Sequence, residues 1–260
     1  MKKIGFISGG VIVLVLFVAV IAQKPILTAI MSKGIETRIA TDIISELPDG
    51  LHVGLCGAGG PLPAPNASGP CVAVIAGERL FVVDAGTDGL RNLGRMGLSA
   101  GNIEAVFLTH FHSDHIDGLG ELATIRWVGA ANTSALPVYG PSGVQMVVDG
   151  FNLAYSMDTI YRHDHHGDTV APLSGKGMTA KEFLPPAGND LVRLFDNGDL
   201  KIEAFSVGHA PVTPSVAYRF TYKGRSALIS GDTTAVDSVR LHAQNVDLLV
   251  HEALAPNLVK

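Results

Sequence analysis

Thr109-His110-Phe111-His112-Ser113-Asp114-His115 decides how this chain is read. Four metal-competent side chains, His110, His112, Asp114 and His115, fall within six residues. Imidazole and carboxylate are the ligands that suit zinc and related transition metals. In extended backbone His110 and His112 point to one side. A turn after them brings Asp114 and His115 to a second position alongside, so one loop can serve two cations. The stretch follows an apolar strand, Glu104–Thr109, and precedes Gly118. That places it at a strand end, where open α/β folds commonly carry their ligands. An incidental surface run of histidines does not account for this agreement of spacing and context.

One loop cannot close two sites, so further ligands belong at later strand ends. His209 follows a predicted strand Lys201–Val207, Asp232 follows Arg225–Ser230, and His251 follows Asp247–Val250. Singly, a strand-end histidine or a Gly-Asp turn is more often structural. Together with the cluster these three read as ligands or catalytic groups. Further strands are predicted at Leu51–Gly57, Cys71–Ala76, Arg79–Asp84, Pro137–Gly140 and Ser215–Tyr222. Gly77-Glu78 offers a tight hairpin turn between two of them. Helices are predicted at Gly89–Gly97, Gly118–Val128, Ser142–Tyr155 and Thr234–Gln244. Residues 156–200, rich in Gly, Pro, Asp and His, give no order. Interleaved strands and helices predict a layered α/β (α+β) domain with helices outside the sheets.

Composition sets the bounds. A hydrophobic content of 47% excludes a disordered chain and supplies a core. The net charge of −5 speaks against a dedicated nucleic-acid binder. Two cysteines cannot build a disulfide scaffold or a Cys-rich zinc module. Cys56 and Cys71 flank a Gly/Pro-rich loop; a disulfide and two small buried residues are both open readings. At the front, Lys2 and Lys3 precede an uncharged run from Ile4 to Ala22. As a helix rising roughly 1.5 Å per residue it would span about 28 Å, close to a bilayer core. It is read as an uncleaved anchor or a signal peptide, with the rest of the chain outside the cytoplasm. Ile26, Ile30, Ile35, Ile39 and Ile43 then mark an amphipathic linker helix that ends before Pro48-Asp49-Gly50. The expected organisation is 1–22 anchor or signal, 23–50 linker helix and 51–260 catalytic domain.

The ordered stretches Leu55–Pro61, Phe81–Gly86, 109–118, Gly208–Pro211, Ser230–Thr233 and His251–Ala253 resemble the metallo-β-lactamase superfamily. Within it they resemble the tRNase Z-like branch, which also holds zinc phosphodiesterases and arylsulfatase-like enzymes. The resemblance implies a four-layer αββα sandwich with two zinc ions at one edge. It implies that His110, His112 and His209 hold the first metal, that Asp114 and His115 belong to the second, and that Asp232 bridges them. Asp84 is expected beneath the histidine loop as support. Asp114 and His251 are the expected catalytic pair, His251 protonating the leaving oxygen. Bound metal lowers the pKa of water from about 15.7 towards about 7, which makes hydroxide available at neutral pH.

Two departures from the branch shape the functional expectation. Its pattern places a last ligand histidine after the His-Glu-Ala motif, whereas this sequence stops at Lys260 with no later histidine. A C-terminally incomplete domain, with an incomplete second site, is expected. Its tRNA-processing members also carry a long basic arm between the equivalents of His209 and Asp232, and here there is room only for two strands and a turn. The expected activity is therefore hydrolysis of a small phosphodiester or sulfate ester. tRNase Z-like endonuclease activity and a catalytically weak metal-binding relic are the alternatives, with an iron-dependent oxygenase on the same fold as a further rival. The expected partners are a small anionic ester, the membrane through the N-terminal helix, and a second copy as a homodimer, with no nucleic acid favoured. Arg162, His165 and His166, in Tyr161–Gly167, are read either as a substrate loop at the pocket mouth or as a solvated loop.

Overall fold

The computed structural model describes residues 42–62 and 65–253. Strands β1 (Leu51–Gly57), β2 (Cys71–Ala76), β3 (Arg79–Val83), β4 (Ile103–Phe107), β5 (Leu136–Pro141) and β6 (Met178–Phe183) form one sheet in that order. Its first three strands are antiparallel, and β3 to β6 run parallel. The second sheet runs β11 (Leu248–Val250), β10 (Arg225–Ile229), β9 (Val216–Tyr222), β8 (Leu200–Ser206), β7 (Val192–Asp196). The helices are α1 (Gly89–Arg95), α2 (Ser113–Ile116), α3 (Leu119–Gly129), α4 (Val144–Ala154), α5 (Ser156–His166) and α6 (Asp237–His242).

The layering follows from period-2 alternation in strands that are apolar on both faces. In β2, Cys71, Ala73 and Ile75 face a core shared with Leu93 of α1, Leu119 and Leu122 of α3, and Val144 and Val148 of α4. Val72, Val74 and Ala76 face the other way, into the core between the sheets, with Ile202, Tyr218 and Phe220. Beyond the second sheet, Phe205, Ala217 and Leu228 pack on Val239 of α6. This is the αββα order of layers. Phe107 sits at the centre, edge-on to Tyr218 and Phe220 and stacked on Tyr139 at 4.8 Å. The side chain that ends β4 is thus fixed in the core directly before the histidine loop begins. Cys56 and Cys71 are joined in a disulfide at the base of the Gly/Pro-rich loop.

Several expectations change. Among the described residues no helix is long and apolar enough to cross a membrane. The expectation of a membrane-spanning helix is corrected to that extent; the run on which it was placed, residues 1–22, lies outside the described region. Of the linker helix expected over 23–50, the described part is a 3-10 turn, Ile43–Glu46. Ile44 is buried there, and Ile43 and Leu47 pack on the helix-side core. The expected C-terminal shortfall concerns residues 254–260 and beyond, which also lie outside the described region. The stretch left without order, 156–200, holds α5, a 3-10 turn, β6 and β7. Helix α5 has no buried residue. Its apolar side chains, Met157, Ile160 and Tyr161, stand at helical spacing but are exposed, set among Asp, Arg and His.

Candidate metal centre

The site is assembled from strand ends. β3 and β4 are parallel neighbours, so Asp84 and the loop from Thr109 emerge side by side. Asp84 adopts φ 58, the left-handed region that Asp and Asn tolerate best among non-glycine residues. This turns its carboxylate back under the histidine loop. Oδ1 accepts the Thr109 backbone N–H at 2.8 Å, and Oδ2 accepts the Thr109 hydroxyl at 2.8 Å. Nδ1 of His115 lies 2.8 Å from Oδ2. Asp84 is 3% exposed, so these contacts are made out of water. Gly86 allows the loop to close down: a Cβ there would stand 2.2 Å from the Asp114 carbonyl oxygen.

Above this support the ligand atoms converge. Nε2 of His110 lies 3.0 Å from Nδ1 of His112, and Nε2 of His209 lies 3.4 Å from that same nitrogen. Asp232 points one oxygen to each side. Its Oδ2 is 4.0 Å from His110 and 3.8 Å from His209, while Oδ1 is 3.4 Å from His115 Nε2. The ligand atoms of His110, His112, His209 and Asp232 all lie within 4.8 Å of one another. On the other side, Asp114 Oδ2 lies 3.7 Å from His115 Nε2. That nitrogen is buried and has no hydrogen-bond partner. A buried imidazole nitrogen without a partner, facing two carboxylates, suits a cation between them.

The electrostatics have the same origin. Burial, reinforced by the neighbouring His115, lowers His110 to about 4. Burial also disfavours charge on His115, but the carboxylates of Asp84 and Asp232 outweigh it and raise the imidazole to about 10. Burial would raise Asp232, yet His115, His110 and His209 around it hold the carboxyl below its ordinary value. A cation held here would take the place of the proton that these carboxylates favour on His115.

A groove of about 400 Å³ opens beside the second half of the cluster. Asp84, Asp114, His115, Asp232 and His251 line its polar end, and Leu55, Val72, Val83, Ile229 and Val250 its apolar walls. Nδ1 of His251 is 2.8 Å from the carbonyl of Glu252, which leaves Nε2 as the nitrogen available to a substrate. Glu252, a residue to which the sequence reading gave no role, accepts the Thr233 backbone N–H at 2.7 Å. Its position in the His-Glu-Ala motif was the only sequence signal for it. Arg162, His165 and His166 lie on α5 and are not among the residues lining the groove. Arg162 is paired within the helix to Asp158 at 2.6 Å.

The Metallo-beta-lactamase superfamily pattern matches residues 65–249. Ribonuclease Z of Mycobacterium bovis is 36% identical over 212 residues, covering 80% of this chain and 72% of that protein. Ribonuclease Z of Mycolicibacterium gilvum is 33% identical over 215 residues, with 81% and 71% covered. Among solved structures, the short form of human tRNase Z superposes with a TM-score of 0.62 at 23% identity, over 78% of each chain. The metallo-β-lactamase fold protein YhfI of Bacillus subtilis gives 0.56 at 24% identity, over 78% of this chain and 70% of that one. At those identities the superpositions speak for the fold. No spanning helix stands among the described residues and the matched relatives are named as ribonucleases, so the expectation of a membrane-anchored or exported domain is withdrawn. The membrane is withdrawn as a partner with it.

Proposed function

The chain belongs to the metallo-β-lactamase superfamily, in the tRNase Z-like branch with its ribonuclease Z relatives, and from that premise we propose that it is a metal-dependent endonuclease that hydrolyses a phosphodiester bond of RNA. The observation that carries this reading is the convergence of His110, His112, His209 and Asp232, with Asp232 turned towards His115 as well. The relatives support RNA as the substrate, against the expectation drawn from net charge.

The residues present fit divalent cations of the zinc class. His110, His112, His209 and Asp232 would hold one, and Asp114, His115 and Asp232 a second. When bound, such cations supply water activation at neutral pH and neutralise charge developing on the phosphoryl oxygens. The protein's own groups do the rest. Asp84 fixes the ring of His115 through Nδ1, which keeps Nε2 turned to the cluster. Asp232 spaces the two halves. The Nε2 of His251 gives a proton to the leaving oxygen as the phosphorus–oxygen bond breaks. The groove beside it receives the leaving group.

A second reading, a small phosphodiester as substrate, is favoured by the groove itself. No Lys or Arg is among its described lining residues, whereas polyanions are bound through cationic side chains. Only β9 and β10 with their turn lie between His209 and Asp232. Sulfate esters draw no support from the relatives. The test is incubation of the Zn²⁺- or Mn²⁺-loaded protein with a 3′-extended precursor tRNA and, separately, with bis-p-nitrophenyl phosphate. Endonucleolytic cleavage of the RNA supports the proposal. Turnover of the small diester alone moves the assignment to the second reading. No turnover of either by metal-loaded protein overturns both.

A further inference from the structure

Glu252 stands at the junction of three loops that each carry a residue of the site. Gly208 precedes His209, Thr233 follows Asp232, and Glu252 follows His251. The Thr233 backbone N–H donates to Glu252 Oε1 at 2.7 Å, and the Glu252 backbone N–H donates to Ser230 Oγ at 3.3 Å. Thr233 in turn takes the Gly208 N–H on its hydroxyl at 3.2 Å, and the Thr234 N–H donates to the Gly208 carbonyl at 2.6 Å. Thr233 is 5% exposed, whereas Glu252 itself is exposed, so the knot is buried on the Thr233 side and open to solvent on the other. The backbone of residues 230–233 is thereby gripped on both flanks of Asp232. Gly231, at φ 59, gives this turn the conformation that needs an external hold.

We infer that Glu252 is a positioning residue for the metal centre: its carboxylate, by holding the Thr233 amide, fixes the loop from which Asp232 reaches both halves of the cluster. A carboxylate accepting a backbone N–H is a charge-assisted bond, stronger and shorter than a neutral one. Outer groups that orient a ligand of a metal commonly govern its affinity by about 10–100-fold. Glu252 borders the groove but makes no hydrogen bond to a candidate ligand atom; in this role it acts through the backbone of Thr233.

The inference rests on the metal-centre reading above, and the experiment separates the two. Co²⁺ alone is titrated into the full chain, with affinity read against a chromophoric chelator and the visible spectrum recorded. Glu252→Ala is expected to weaken Co²⁺ binding about 10–100-fold and to alter the spectrum. Glu252→Gln, whose amide oxygen still accepts the Thr233 N–H, is expected to stay within about threefold of wild type. Glu252→Asp, one methylene short, is expected to behave like the alanine variant and replaces it should that variant not fold. Unchanged affinity and spectrum in Glu252→Ala or Glu252→Asp, or equal losses in the glutamine and alanine variants, would overturn the positioning role alone. A wild-type chain that takes up no Co²⁺ would overturn the metal-centre reading and this inference with it.

Discussion

Replacing Asp84 by asparagine removes a charge from the floor of the site while leaving its shape almost untouched. Asparagine tolerates φ 58 as aspartate does, so backbone strain is not part of the comparison. Oδ1 can keep the Thr109 N–H at 2.8 Å. The variant NH₂ group then faces the Thr109 hydroxyl and His115 Nδ1, both 2.8 Å from the oxygen it replaces. The hydroxyl can rotate to accept. His115 can accept only by giving up its Nδ1 proton and keeping one on Nε2, the nitrogen that points to Asp114 and Asp232. The network re-forms, but in the tautomer that cannot ligate. Exchanging charged for neutral hydrogen bonds in this buried place should cost about 1–3 kcal/mol of stability. For a domain of this size that is a fall in Tm of about 2–12 °C. Divalent-metal affinity should fall further, by about 10–100-fold or more. Thermal unfolding of the metal-free protein and chelator competition with Zn²⁺ measure the two effects separately. Zn²⁺ affinity within about threefold of wild type, alongside the expected Tm loss, would refute the tautomer argument, because the floor would then be a packing device only.

Other perturbations probe other links. His110→Ala should lose bound metal as measured by elemental analysis, and Asp232→Ala should lose more, because its two oxygens face opposite halves of the cluster; equal metal content in the two variants would contradict the bridging position. His251→Ala should keep its metal and lose cleavage of the precursor tRNA, whose alkoxide leaving oxygen needs a proton, by about 10²–10⁴-fold, whereas loss of metal would make His251 a ligand. Gly86→Ala should destabilise the fold by about 1–3 kcal/mol in urea unfolding, since its Cβ meets the Asp114 carbonyl and the Gly69 backbone. Arg162→Ala should change neither metal content nor turnover, its guanidinium being engaged by Asp158 on its own helix.

How far the sequence could be read depended on whether a feature is local. The ligand spacing in 109–115 is a property of a few consecutive residues, and the unbroken apolar run Cys71–Ala76 announces a strand buried on both faces. The strand ends carrying His209, Asp232 and His251 were legible for the same reason, each being a short apolar run followed by a polar break. Helix α5 was not read, because its one short apolar stripe, Met157, Ile160 and Tyr161, is set in a run of Asp and His whose composition is that of a loop. The uncharged run at the front invited a membrane reading from hydropathy alone. Net charge is a weak guide to the partner, since a sum over the chain says nothing of where the charges stand.

By itself, then, the sequence determined the layered fold and pointed to the groups that converge at the candidate metal centre, because both are written in periodicity and in spacing along the chain. The tertiary structure alone decided what lies between those groups. It turned Asp84 back beneath the loop, set Asp232 with an oxygen towards each half, left His115 Nε2 buried without a hydrogen bond, and tied three loops together through Glu252. Those are distances between residues far apart in the chain. They exist only once two sheets have packed on Phe107, Tyr218 and Phe220 and carried their strand ends to the same edge.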